Sequence, residues 1–272
     1  MPAGIRKNRW IQRLQEVRQL DMEHQNPMIV FDLDDTLHMR SAPFANAVQE
    51  LCHIADPGQL QKMFADFRNI GVAYFHQWDA GEIDEQEMYI LRTIDAFALY
   101  GYTFTREEAW HFHKTYEKYL QRIRPAEGIE EALQTAVDLH MPMGILTNGS
   151  PVRQRNKIRA LGLTKWIPEE YIAVSLELGV HKPDPRVFAL YREKIRSLNT
   201  PGREPDVWWY VGDLYENDIE PAAKDGWHTI WVQREEDRQA ARSVEPDYIV
   251  KDGYELEKVF RKIGMIRKQA SS

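Results

Sequence analysis

Six short runs of this chain are apolar at nearly every position: Met28–Phe31, Met143–Leu146, Tyr171–Val174, Val207–Val211, Thr229–Val232 and Tyr248–Val250. A strand with one wet face alternates apolar and polar residues, whereas a continuous apolar run implies a strand covered on both faces. Helical patterns lie between most of these runs, at Ile129–Leu139, Val152–Leu161, Arg186–Leu198 and Ile219–Lys224. Strands alternating with helices predict an α/β fold with a doubly wound parallel sheet, Rossmann-like in kind. Such a sheet binds ligands at the carboxyl ends of its strands.

One stretch breaks the alternation. From about residue 44 to 121 the periodicity is helical only, with helices expected near 43–54, 58–70, 83–100 and 105–122. Thr105 followed by Glu108 predicts a capping box at the start of the last one. This block falls between the first and second strands and reads as an inserted helical lid. The expected division is a core of residues 27–43 and 122–252, a helical cap over 44–121, and a C-terminal helix and tail over 253–272, frayed from Arg267. Residues 4–25 read as one amphipathic helix, with Trp10, Leu14 and Val17 on one stripe, forming an N-terminal extension over 1–26.

The 272 residues are 43% hydrophobic and 28% charged, which provides for a sizeable core. A single cysteine, Cys52, allows no intramolecular disulfide, and no run approaches the roughly 20 apolar residues of a membrane span. These features, with a charged N-terminus unlike a signal peptide, lead us to expect a cytoplasmic protein without a membrane partner. The formal net charge of -7 disfavours a nucleic acid polymer as partner but leaves room for a small anion, because one local cation can dominate a pocket.

The strand ends carry the chemistry. The first strand runs into Asp32-Leu33-Asp34-Asp35-Thr36, and alternation places Asp32 and Asp34 on the same side. Two carboxylates 4 Å apart repel by about 4 kcal/mol at an effective dielectric near 20, so the pair calls for a cation or a shared proton. An acidic helix-capping turn is the bland alternative. The second strand ends in Thr147-Asn148-Gly149-Ser150, with Ser150 as an expected N-cap and Pro151 opening a helix. Its hydroxyl and backbone N–H groups suit a phosphate. After the third strand, Lys182 stands in the Pro-flanked segment His181-Lys182-Pro183-Asp184-Pro185. The fourth delivers Gly212-Asp213, with Asp218 five residues on, either a helix cap or a site for a hard cation. Each piece alone is ambiguous; their order along consecutive strands is specific.

This order closely resembles the haloacid dehalogenase (HAD) superfamily, and within it the phosphatases with a helical cap inserted after the first motif. Asp32, Asp34 and Thr36 match its DxDxT motif, Thr147 the second, Lys182 the third, and Gly212, Asp213 and Asp218 the fourth. The resemblance implies a magnesium-dependent phosphoric monoester hydrolase acting on a small phosphorylated metabolite. Asp32 would be the nucleophile that becomes an aspartyl phosphate, and Asp34 the general acid and base. Thr147, the backbone N–H of Asn148 and Lys182 would bind the phosphoryl group. Mg²⁺ would be held by Asp32, the main-chain carbonyl of Asp34, Asp213 and Asp218. Four carboxylates against one lysine explain why such a site needs the ion. Where relatives often have Ser or Thr after the fourth-motif Asp, this chain has Leu214, which removes no metal ligand.

Asp34 argues against the dehalogenase branch, which lacks a second acid there. A sugar phosphomutase would use the same motifs, and a non-catalytic phosphate-binding regulator is the reading from another class. The WDAGEIDEQEM stretch resembles lids of relatives acting on nucleoside monophosphates or flavin mononucleotide, with sugar phosphates and phosphoglycolate as the open alternatives, and His76, Gln77 and Trp78 precede the Gly81-Glu82-Ile83 turn.

Overall fold

The structure is a computed structural model that describes residues 26–198, 204–233 and 242–269. The helix expected over residues 4–25 lies outside them. The described chain forms two compact units, one from the residues up to His38 together with those from Pro125 onward, the other Met39–Arg124.

The first unit is built on six parallel strands: β1 (Pro27–Phe31), β2 (Met143–Thr147), β3 (Ile172–Val174), β4 (Val207–Gly212), β5 (His228–Val232) and β6 (Tyr248–Val250), in the order β3-β2-β1-β4-β5-β6. Every residue of β1, β2, β3 and β4 is buried, as strands covered on both faces require. The chain winds outward from β1 in one direction and then from β4 in the other. The reversal between those two strands is the topological switch point of such a sheet, where its ligand crevice forms.

Strand β4 shows both faces in use. Trp208 and Tyr210 join a cluster with Phe188, Tyr191 and Trp227, in which Phe188 and Tyr210 meet edge to face at 5.0 Å. Trp209 points the other way and stacks on His228 at 4.5 Å. The helix Arg186–Leu198 contributes Val187, Phe188, Tyr191 and Ile195 to the first cluster. Elsewhere Phe260, on the helix Gly253–Gln269, meets Phe31 of β1 edge to face. That helix runs through Gln269 and not only to the expected frayed boundary at Arg267. Met265 to Gln269 contains no Gly or Pro to stop it.

The second unit is all helical: α1 (Ser41–Cys52), α2 (Pro57–Asp79), α3 (Glu85–Ala98) and α4 (Arg106–Leu120). Its centre is aromatic. Phe44 has Phe64, Phe67, Phe97, Phe112 and Tyr116 around it, with ring centroids 4.9–6.4 Å away. The capping box of Thr105 and Glu108 is formed at the start of α4. Helix α2 is longer than its pattern predicts. It passes through Gly71, where a Cβ would come within 2.9 Å of the Arg92 side chain on α3, so the glycine admits a close helix crossing where the pattern read a stop. His76, Gln77 and Trp78 thus belong to the last turn of α2, and their carbonyls accept from Ala80, Glu82 and Gly81.

Candidate active site

β1 and β4 are adjacent and in register, Phe31 opposite Val211, and the Asp32 N–H donates to the Val211 carbonyl at 2.8 Å. Asp32 and Asp213 therefore leave the sheet side by side. From Tyr215 to Ile219 the chain makes a wide π-type turn that the sequence did not suggest; it carries Asp218 back toward the strand ends. Gly212 makes this possible, since a Cβ there would stand 2.5 Å from the Asp218 Cβ. Asp218 Oδ2 accepts from the Leu214 N–H at 3.0 Å, and the Asp213 carbonyl accepts from the Trp231 indole at 2.8 Å.

Carboxylate oxygens of Asp32, Asp213 and Asp218 lie within 4.8 Å of one another, all three residues buried. Lys182 stands among them. Its Nζ donates to Asp32 Oδ1 at 2.7 Å, Asp218 Oδ1 at 2.6 Å and the Tyr210 hydroxyl at 2.8 Å. Tyr210 in turn donates to the Leu146 carbonyl at 2.7 Å, so the third donor of the ammonium is anchored in the sheet. The loop that carries Lys182 is tied to the end of β2: the Asn148 side chain donates to the Lys182 carbonyl and accepts from its N–H.

Charge is out of balance in this group. Burial pushes the Asp32 carboxyl up to about 6, against the pull of Lys182 and with the help of the Asp218 and Asp34 charges. For Lys182, burial works toward the neutral amine, and Asp218 and Asp32 more than reverse it, holding the ammonium well above its usual range. One ammonium thus serves two carboxylates, with a third beside them. Three clustered oxygen donors carrying excess negative charge fit a hard divalent cation, which prefers carboxylate oxygens. Asp32, Asp213 and Asp218 are the residues that would hold it.

Asp34 lies apart from that trio. The chain turns tightly after it, with Asp35 at φ 65 and its N–H donating to the His38 carbonyl, which returns the buried His38 ring to Asp34 Oδ1 at 2.9 Å. Lys157 Nζ reaches both Asp34 oxygens, at 2.7 and 2.6 Å. Gln154 donates from one amide to Thr147 Oγ1 at 2.7 Å and Asp34 Oδ2 at 3.2 Å. Gln154, Lys157, His38 and Tyr210 were not singled out from the sequence; only the (i, i+3) spacing of Gln154 and Lys157 on the helix Pro151–Ala160 could have paired the first two. Pro151 does open that helix, but Ser150, expected as its N-cap, makes no side-chain capping bond. His181 hydrogen-bonds Ser175 Oγ through Nδ1 at 2.8 Å.

Residues 29–232 match the family model described as haloacid dehalogenase-like hydrolase. A glyceraldehyde 3-phosphate phosphatase of Pyrococcus abyssi is 26% identical over 214 residues, which span 76% of this chain and 81% of that protein. A phosphoserine phosphatase of Thermus thermophilus is 33% identical over a shorter stretch, 35% of this chain and 34% of that one. Among solved structures, a HAD-hydrolase of Bacillus subtilis bound to magnesium superposes with a TM-score of 0.64 at 20% identity, covering 88% of this chain and 99% of the other. At that identity it shares the fold. The family match over most of the chain and the phosphatases among its relatives lead to one conclusion: the chain belongs to the haloacid dehalogenase-like hydrolases and is a phosphatase of that family.

Proposed function

We propose that the protein hydrolyses a small phosphomonoester in two steps through an aspartyl phosphate on Asp32. The observation that carries this reading is the contact of Lys182 Nζ with Asp32 Oδ1 at 2.7 Å, within a buried three-carboxylate group. An ammonium beside the attacking oxygen offsets the charge of an incoming phosphate dianion, which the acidic cluster would otherwise repel. In the first step Asp32 attacks phosphorus, the P–O bond to the alcohol breaks, and Asp34 supplies the proton to the departing oxygen. In the second, Asp34 takes a proton from water, which attacks the phosphorus of the aspartyl phosphate and frees phosphate and Asp32. Thr147, the backbone N–H of Asn148 and Lys182 bind the phosphoryl oxygens. Asp32, Asp213 and Asp218, with the main-chain carbonyl of Asp34, would hold Mg²⁺; when bound, the ion neutralises charge on the nucleophile and phosphoryl group.

The relatives named for glyceraldehyde 3-phosphate direct the choice of substrate toward short phosphorylated sugars. Nucleoside monophosphates and flavin mononucleotide, suggested by the WDAGEIDEQEM stretch, belong in the same panel. The test is phosphate release from these esters, with Mg²⁺ or with EDTA, by the wild type and by Asp32→Asn. Release that needs Mg²⁺ and disappears in the variant supports the reading. Full release in EDTA would overturn the metal assignment, and release by the variant would overturn the nucleophile. A phosphomutase would instead move phosphate between sugar hydroxyls and release little.

A further inference from the structure

The arrangement around Asp34 contains more than the proposed reaction needs for acid and base alone. Lys157 and Gln154 are 7% and 2% exposed, on a helix whose other charged residues include Arg153, Arg155 and Arg159. Burying an ammonium and an amide costs several kcal/mol unless their hydrogen-bonding groups find partners. Both spend them at one place. Lys157 Nζ takes the two Asp34 oxygens and Gln154 Oε1, the last at 2.8 Å. Gln154 Nε2 joins Asp34 to Thr147. With His38 Nε2, three side chains on two separate segments converge on one carboxylate.

From this geometry we infer that Lys157 is a positioning residue for Asp34, with Gln154 as its brace, and that it acts on the step in which the alcohol leaves. The inference rests on Asp34 being the acid and base of the proposed reaction. A carboxylic acid that must meet a leaving oxygen has two torsions to fix, and misplacement by about 1 Å can cost 10²-fold. Lys157 fixes them. It also stands where negative charge develops as Asp34 gives up its proton, so the transition state gains from a charge already in place. One Asp34 oxygen has to exchange its contact for the substrate oxygen when the ester binds. The 2.8 Å bond to Gln154 Oε1 keeps the ammonium in place while that happens.

Leaving-group dependence separates positioning from mere support of the fold. An alkyl phosphate needs its departing oxygen protonated, whereas p-nitrophenolate leaves well without help. We expect Lys157→Met to lower kcat/KM about 10²-fold for a simple alkyl phosphate and less than about 10-fold for p-nitrophenyl phosphate, within the range for general acid catalysis. Losses equal for the two esters, or no loss for either, would overturn the proposal. Asp34→Asn run alongside shows which reading has failed. If it discriminates between the esters and Lys157→Met does not, only the Lys157 inference falls. If Asp34→Asn shows no discrimination, the acid role fails and the inference with it. Should Lys157→Met fail to fold by circular dichroism, Lys157→Gln, which keeps an N–H donor, carries the same comparison. There the expected discrimination is smaller but in the same direction, and its absence overturns the inference.

Discussion

Two buried lysines stand beside the two acids of the Asp32-Leu33-Asp34 segment, and they are held in different ways. Lys182 fills its three donors with Asp32, Asp218 and Tyr210, and its side chain and that of Asp218 are almost wholly removed from solvent. Lys157 gives two contacts to a single carboxylate, and Asp34 keeps 18% of its side-chain surface exposed. The first is a charge shared among competing acids; the second is a clamp on one acid that can still reach solvent. In the proposed reaction the first acid is a nucleophile flanked by carboxylates that would hold the metal, and it needs a fixed counter-charge. The second, as the proposed acid and base that trades protons with an alcohol and with water, needs a fixed direction and some access.

The comparison breaks most readily at Lys182. Lys182→Met leaves Asp32 and Asp218 buried without their cation. It should cost about 3–5 kcal/mol of stability, the range for removing one partner of a buried ion pair. Chemical denaturation of wild type and variant measures it; a loss below about 1 kcal/mol would show that the ammonium is not the hub of this group.

A second test has the opposite sign. Folded Asp32 holds its proton up to about 6, against 3.8 for the unfolded chain, so the folded state binds more protons between those values. Stability therefore falls as pH rises through that window. Asp32→Asn removes the fall. Metal-free Asp32→Asn should be more stable than metal-free wild type at pH 7, with the gain shrinking as pH falls through the carboxylate range. A variant less stable at pH 7 would mean that Lys182 outweighs burial at this carboxylate.

Lys157→Met sharpens the contrast. Asp34 retains His38, Gln154 and partial access to water, so the loss should be about 1–2 kcal/mol, well under that of Lys182→Met. Equal losses would remove the distinction between hub and clamp. The smallest effect expected is for Tyr210→Phe, which deletes the bridge from Lys182 to the Leu146 carbonyl, at about 1 kcal/mol in the same assay.

The same contrast explains what the sequence could and could not tell. Lys182 in its Pro-flanked loop was ambiguous alone and became readable only through its place in the order of strand-end residues, as the match to the third motif of the resemblance. Asp32, Thr147 and Asp213 were readable because continuous apolar runs mark strands, and parallel sheets present their chemistry at strand ends. Lys157 was hidden among the arginines of a helix that resembles a solvated face, with a burial set by tertiary packing and not by periodicity. Tyr210 was read as one more core residue of β4, because nothing local tells which buried hydroxyl has an ammonium above it. The turn Tyr215–Ile219 was missed as well, since its shape depends on Gly212 making room for a side chain six residues later. Helix α2 outran its pattern for a similar reason, Gly71 being a crossing point and not a stop.

In the proposed reaction Asp32 becomes covalently phosphorylated. Acid quench of the Mg²⁺-loaded enzyme within a single turnover of a ³²P-labelled ester, followed by peptide mapping, tests it directly. Label is expected in the peptide carrying Asp32, labile to base as an acyl phosphate is, and none in Asp32→Asn. Turnover without covalent label, or label on another residue, would contradict it.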